Sequence, residues 1–344
     1  MTISVIIPVY NVEKYIRRCL DSVIDQECDG FNIECLIVDD CSPDGSMMIV
    51  NDIINNYQGT VITFKIIRHD VNKGLSAARN TGIKSSSGDF LFFIDSDDSI
   101  LENTFKKFVA YSVEYPFADL ILGNSLGTED NFLSNTSVTN NDNSPCFIDD
   151  KRTIWHHVLA RRIDRHAWNK LVRRSLIVDS CLYFDDGLLY EDVTWTYRLF
   201  SCVSSILIVP ELTYIYEYNP SSIVHTPAER SSKLISSFVF ITDFLVNNPP
   251  KIDDKEVFFT EHSLFVYHWM IQAIFLCEKY GVHAQTRVKL NALKRILFWK
   301  SICHFRPILT LYYLTLFKPF SWLLKLRIYR SNIYRLTQVV YKLS

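Results

Sequence analysis

The sequence predicts an α/β fold, a Rossmann-like sheet flanked by helices and followed by a mainly helical C-terminal region. Three observations lead there. Short apolar runs alternate with segments whose apolar residues recur every three or four positions, the pattern of βαβ units. Two of the apolar runs stop abruptly at clustered carboxylates, Asp39-Asp40 and Asp95-Ser96-Asp97-Asp98. From about Ala228 onward the periodicity is helical throughout. The expected division is therefore 1–225 for the α/β domain and 226–344 for the helical region.

Ser4-Val-Ile-Ile-Pro-Val-Tyr10 reads as a buried first strand, and a helix follows in which Val12, Tyr15, Ile16, Cys19, Leu20, Val23 and Ile24 keep helical spacing. Ile33–Val38 is a second strand, entering the polar turn Asp39–Ser46, and a helix runs from about Met47 to Tyr57. Thr63–Arg68 and Gly74–Lys84 give the third strand and helix. Phe90-Leu-Phe-Phe-Ile94 is a fourth buried strand. Thr104–Tyr115 continues as helix and Ala118–Leu122 as strand. Gly123–Ser144 is polar and nearly aperiodic, so a long loop is expected there. A helix ends near Leu159, and Ser205–Val209 and Thr213–Tyr218 are late strands. Beyond them Leu234, Phe238, Ile241 and Leu245 share one helix face.

Length and composition fit this plan. The 344 residues, 48% hydrophobic and 22% charged, suffice for one large and one smaller domain. The nine cysteines are scattered, with no paired zinc spacing, and free thiols in a reducing cytosol are expected. Ile3–Val9 has strand length, not the form of a secretory leader, and no apolar stretch approaches the roughly 20 residues that span a bilayer. Charge is unevenly placed. Twelve of the 36 basic residues and none of the 38 acidic ones lie between Arg287 and Ser344.

On a parallel sheet, Asp39-Asp40 and Asp95–Asp98 fall on the same carboxyl edge, where open α/β sheets bind ligands. Taken alone, Asp95–Asp98 reads equally well as an acidic turn. Together the clusters suit a nucleoside diphosphate: one carboxylate accepts hydrogen bonds from a base or ribose, and another holds Mg²⁺ or Mn²⁺ beside phosphate oxygens. Neither a Walker loop nor Gly-x-Gly-x-x-Gly is present, which argues against P-loop and nicotinamide enzymes.

Over about Ser4–His225 the chain resembles the family 2 glycosyltransferases of bacterial surface-polysaccharide type, which have the glycosyltransferase A-type fold. The resemblance is carried by Ser4–Asn11, Val38–Ser46, Asn72–Gly82, Asp95–Asp98, Trp168-Asn-Lys170 and Tyr190–Val193. It implies a mixed sheet and an inverting transfer from a nucleotide sugar, commonly a UDP sugar, to a glycan hydroxyl. It also implies that Pro8, Tyr10 and Asn11 line the nucleotide pocket and that Asp39 and Asp40 read the base. Asp95 and Ser96 would face the ribose or donor sugar, and Lys73 and Arg79 the diphosphate. Asp97 and Asp98 would serve the Mn²⁺ or Mg²⁺ ion, with Asp192 as general base. Trp168, Asn169, Lys170 and Glu191 are acceptor-side candidates, with packing the competing role for Trp168 and helix capping for the Glu191-Asp192 pair. Relatives often carry an Arg after a Tyr-x-Tyr where this chain has Asn219, so that position receives no role.

The basic tail interleaves Trp, Tyr and Phe with Lys and Arg, and it shows no nucleic-acid recognition motif. An interfacial element meeting anionic lipid fits it better, placing the protein peripherally on the inner face of the cell membrane, where the acceptor would be polyprenyl-diphosphate linked. The competing arrangement is a packed helical subdomain with a solvated basic face. Two competing functions are a sugar-nucleotide nucleotidyltransferase and a catalytically inactive nucleotide-sugar-binding scaffold. The first needs a Gly-rich basic loop after strand one, and Tyr10–Lys14 is not one.

Overall fold

A computed structural model describes residues 1–127, 144–220, 231–252, 255–281 and 284–303. The first half alternates as the sequence predicts: β1 (Thr2–Val9), α1 (Ile16–Ile24), β2 (Asn32–Asp39), α2 (Ser46–Asn56), β3 (Ile62–Arg68), α3 (Leu75–Ser85) and β4 (Phe90–Phe93). Then come β5 (Ser99–Ile100), α4 (Thr104–Glu114), β6 (Leu120–Gly127), β7 (Cys146–Ile148), α5 (Lys151–Leu159) and β8 (Lys170–Arg173). The order ends with α6 (Arg174–Asp179), α7 (Glu191–Cys202), β9 (Ile206–Tyr216), α8 (Ser231–Asn247), α9 (Lys255–Tyr280) and α10 (Ala284–Cys303).

The described strands form one sheet in the order β3-β2-β1-β4-β8-β6-β9-β5, with β7 added on β9. β1 pairs in parallel with both β2 and β4, and β2 with β3. β8 is antiparallel to β4 and to β6, so the sheet is mixed. β1 and β2 are buried on both faces, which accounts for their unbroken apolar runs. β3 is one edge strand of the described sheet, and it carries Lys65 and Arg68, charges that discourage further pairing.

One core lies between the sheet and α1, α2 and α4. Ile3, Val5, Ile7, Ile33, Cys35, Ile37, Phe90 and Phe92 meet Ile16, Leu20, Val23 and Phe105 there. Phe92 and Phe105 pack edge to face with ring centres 5.1 Å apart. On the opposite face Phe93 meets both Phe184 and Trp195, which stack on each other at 4.6 Å. α3 crosses β1 closely at Gly82, where a Cβ atom would sit 2.4 Å from Ile6 Cγ2.

Three strands escape a reading by periodicity. β5 has two residues and β7 three, and β8 (Lys-Leu-Val-Arg) is bounded by charges. Each is a strand because a long partner pairs with it, a tertiary decision that local pattern does not carry. The expected loop at Gly123 begins later, since β6 continues to Gly127, and residues 128–143 lie outside the described ones. The two late strands are one, β9, which passes Pro210 opposite a register shift between Leu122 and Asn124. An irregularity of that kind is where a strand tolerates proline.

The chain divides into two compact units. The first comprises Met1–Ile154, Arg162–Gly187 and Glu191–Pro220, and it holds the sheet. The second contains Trp155–Arg161, Leu188–Tyr190 and the described residues after Ser221. The sequence boundary near residue 225, and His225 itself, fall outside the described residues, as does the tail beyond 303. In the second unit Leu234, Phe238, Ile241 and Leu245 of α8 are buried. α10 buries Leu290, Leu293 and Leu297 while Val288 and Trp299 stay largely exposed. No described helix is long and apolar enough to cross a membrane.

Gly82→Ala forces the α3–β1 contact apart. We expect it to destabilise the first unit by about 1–3 kcal/mol, read as a lower urea midpoint.

Candidate functional site

The parallel register brings the two acidic clusters together. Val9 lies opposite Asp39, Ile6 lies opposite Phe93, and the Asp40 N–H donates to the Val9 carbonyl at 3.0 Å. β1, β2 and β4 therefore end at a common edge. The chain leaves β1 and β2 through left-handed residues, Asn11 at φ 56° and Cys41 at φ 59°.

At that edge Asp39 and Asp40 are buried and bonded internally. Asp39 accepts from the Ser42 N–H (2.8 Å) and Arg68 Nε (2.8 Å). Asp40 accepts from the N–H groups of Lys73 and Gly74, both at 2.8 Å, and contacts His69 Nδ1 at 2.7 Å. The carboxylate thus shapes the turn into α3, with Gly74 at φ 91°. Pro8 is buried in β1, while Tyr10, Asn11, Cys41 and the Lys73 side chain present the exposed groups of this edge. The Asn11 N–H donates to Ser42 Oγ at 2.8 Å.

The second cluster separates its carboxylates by environment. Asp98 is 1% exposed; one oxygen takes the Tyr214 hydroxyl at 2.7 Å and the other the Glu217 N–H at 2.9 Å. Burial, then the charges of Asp97 and Asp95, push its carboxyl far above the usual range. Asp97 is half-buried, accepts from Asn219 Nδ2 at 2.8 Å, and is raised by burial and by Asp95. Its carbonyl receives Arg18 Nη2 at 2.8 Å. Ser96 is buried. Asp95 remains partly open and accepts from Arg79 Nη2 at 2.6 Å.

Arg79 is the link to α7. Its other terminal nitrogen, Nη1, donates to Glu191 at 2.6 Å, with the guanidinium 5.2 Å above the Phe184 ring. Phe184 is held there by Asn80, whose amide both donates to the Phe184 carbonyl (2.9 Å) and accepts its N–H (2.7 Å). Burial works against the Arg79 charge, yet Asp95 and Glu191 raise it on balance. Burial lifts Glu191 to about 7 despite Arg79, aided by the neighbouring Asp192. Both acids open α7, where the positive end of the helix favours carboxylates. Asp192 is half-exposed and is raised by burial, with His166 the largest opposing influence.

The segment before β8 borders Asp192. Trp168 is a packed residue, parallel to Tyr214 at 4.4 Å and to His166 at 4.5 Å. Asn169, at φ 57°, donates to the Asn124 carbonyl (3.1 Å) and accepts from Thr213 Oγ1 (2.7 Å), which fixes the strand junction. Lys170 is buried, and burial lowers its ammonium pKa.

Among the described residues no three His, Cys, Asp or Glu side chains form a ready-made metal cage. A cation that keeps waters and phosphate oxygens needs only one or two carboxylates, and the crowded Asp95–Asp97 pair fits that demand. Asp98 faces inward to Tyr214 and Glu217. Periodicity did not identify Arg18, Asn219, Tyr214 or His166 as members of this neighbourhood. Asn219 stands where relatives often carry Arg, and its amide reaches Asp97.

The profile described as Glycosyl transferase family 2 matches residues 4–177, half of the chain. The chain belongs to glycosyltransferase family 2. Among the relatives of this family 2 chain, glycosyltransferase EpsJ of Bacillus subtilis is 28% identical over 226 residues, covering 65% of this chain and 63% of EpsJ. Glycosyltransferase GlyA of Streptococcus pneumoniae is 31% identical, covering 66% of this chain and 32% of its own length. TarS of Staphylococcus aureus, a poly(ribitol-phosphate) beta-N-acetylglucosaminyltransferase, is 28% identical over 63% of this chain and 35% of TarS. The chain thus spans less than two thirds of each. In structure it is similar to TarS in complex with UDP-GlcNAc, at a TM-score of 0.66 and 20% identity, covering 99% of this chain and 92% of that one. A mannosyltransferase from Pyrobaculum calidifontis with GDP-Man and Mn²⁺ gives 0.52 at 13% identity, covering 99% and 86%. These likenesses show the glycosyltransferase A-type fold.

Arg79→Ala leaves Asp95 and Glu191 without their shared cation. We expect a loss of about 3–5 kcal/mol, seen as a lower denaturation midpoint, and only partial recovery with Arg79→Lys, because an ammonium cannot span both acids in the same fork.

Proposed function

We propose that this chain is a metal-dependent, inverting glycosyltransferase that moves a hexose or N-acetylhexosamine from a nucleotide sugar, probed first as a UDP sugar, to a hydroxyl of a surface glycan. One observation carries the reading: Arg79 ties Asp95, at the end of β4, to Glu191, the neighbour of Asp192. This link supports a reading in which Asp95 serves the donor and Asp192, next to Glu191, serves as base. The name of TarS, and the UDP-GlcNAc in the TarS structure, support donor and acceptor of this class.

Each residue then has a task. Tyr10, Asn11 and Lys73 line the edge that receives the nucleotide, on the frame made by Pro8, Asp39 and Asp40. Asp95 and Ser96 face the ribose or sugar. Asp97 would hold Mn²⁺ or Mg²⁺, and when bound such an ion offsets the charge gained by the departing diphosphate. Asp192 accepts the proton of the acceptor hydroxyl as that oxygen bonds to the anomeric carbon. The bond from that carbon to the diphosphate oxygen breaks, and the nucleoside diphosphate leaves with the electron pair. One displacement with no enzymic nucleophile inverts the centre, so an α-linked donor gives a β-linked product. Trp168, Asn169 and Lys170 support the acceptor side from within.

A screen of UDP sugars by thermal shift with Mn²⁺ tests this. We expect stabilisation by at least one donor, loss of that stabilisation in Asp97→Ala, and its retention in Asp192→Asn together with a fall in transfer of about 10²–10⁴-fold. A product of retained configuration by NMR refutes the single-displacement scheme.

We further propose a peripheral seat on anionic membrane, suited to a polyprenyl-diphosphate-linked acceptor on the inner face. The support is the basic, acid-free sequence from Arg287 and the exposed Val288 and Trp299 on α10. Val288→Glu with Trp299→Glu should release the protein from phosphatidylglycerol vesicles in a flotation assay; unchanged flotation removes this seat.

A further inference from the structure

The loop leading into β8 carries charged groups that the transfer scheme leaves without a task. Thr196 Oγ1 donates to the Arg165 carbonyl at 2.6 Å. Thr196 lies four residues after Asp192 on α7, hence on the same helix face. The loop is therefore fastened over the face that presents the proposed base.

His166 in that loop has contacts on one nitrogen and on its ring face. Its Nδ1 lies 2.7 Å from Asp164 Oδ1, and its own N–H donates to the same oxygen at 3.1 Å. The ring stacks on Trp168 with an interplanar angle of 11°, and Trp168 stacks on Tyr214 at 8°. An imidazole held on one face by an indole and at one nitrogen by a carboxylate has little freedom to turn away.

The charges around it come from every neighbouring element. Asp164 and Arg165 stand on its own loop, Lys170 on β8 and Asp192 on α7; Arg79 on α3 also acts on Asp192. Burial lowers the imidazole, but Asp164 and then Asp192 raise it on balance. Burial would raise Asp164 too, yet His166 and Lys170 hold it well below the usual range. Asp164 and His166 therefore favour each other's charged forms, and the Thr196 hydrogen bond holds their loop on the helix face that carries Asp192.

We propose that Asp164 and His166 form a positioning pair whose imidazolium, clamped between Asp164 and Trp168, keeps the Asp192 carboxylate in its ionised, proton-accepting form. No bond to His166 is made or broken: the acceptor proton passes to Asp192, and His166 supplies charge alone. The role rests on Asp192 as base, while its test reads Asp192 directly and does not require the acceptor to be known.

The test is a ¹³C NMR titration of the full chain labelled at aspartate carboxyls, with the Asp192 signal assigned by its loss in Asp192→Asn. We expect the Asp192 midpoint to rise by about one pH unit in His166→Gln and in Asp164→Asn, and to return toward the native value in His166→Arg, which restores a cation without the imidazole. A packing role predicts no such recovery. Asp164→Asn keeps the test decisive if His166→Gln unfolds. An unmoved midpoint in the folded variants overturns the pair, as does an equal rise in His166→Arg. Full transfer by Asp192→Asn is a different failure: it removes the base assignment, whatever the midpoint does.

Discussion

The Arg79 ion-pair fork is the interaction on which the site depends. Two acids from distant parts of the chain, Asp95 and Glu191, approach each other only because one delocalised cation lies between them. The guanidinium is buried, so it needs a carboxylate partner, and the two acids need the cation between them. Removing the cation leaves two carboxylates uncompensated in a poorly solvated place, whereas removing either acid still leaves Arg79 a partner. The aromatic floor of Phe184, stacked on Trp195, holds the fork level. Packing of the sheet's second face and alignment of the acids are thus one problem with one solution.

Much of this was legible in the sequence because a parallel sheet writes itself in long apolar runs. β1, β2 and β4 are buried on both faces, and their ends marked where the carboxylates would gather. The helical spacing of α1 and α8 likewise named buried residues, Ile16, Cys19, Leu20 and Val23 on the first and Leu234, Phe238, Ile241 and Leu245 on the second, while Tyr15 and Ile24 are only partly buried. What stayed illegible belongs to pairing. β5, β7 and β8 exist through their partners, and Pro210 lies within a strand because β6 and β9 shift register beside it.

The site shows the same division at finer scale. Sequence identifies acidic residues but not the donors that surround each one. Asp98 and Asp97 are adjacent and chemically identical, yet Tyr214 and Glu217 draw the first into the interior while the second stays at the edge. Asp39 and Asp40 look like open recognition groups until Arg68, His69 and the turn before α3 are seen around them. Asn219 shows the reverse: a departure from an expected residue carried no sequence signal, although its amide reaches Asp97.

The tether from Asp40 to the Lys73 and Gly74 amides has a thermodynamic consequence. A turn already fixed by its own aspartate has lost its freedom before any nucleotide arrives. Ordering entropy at this turn is charged to folding, so under the proposed function a donor that bound there would not have to supply it again.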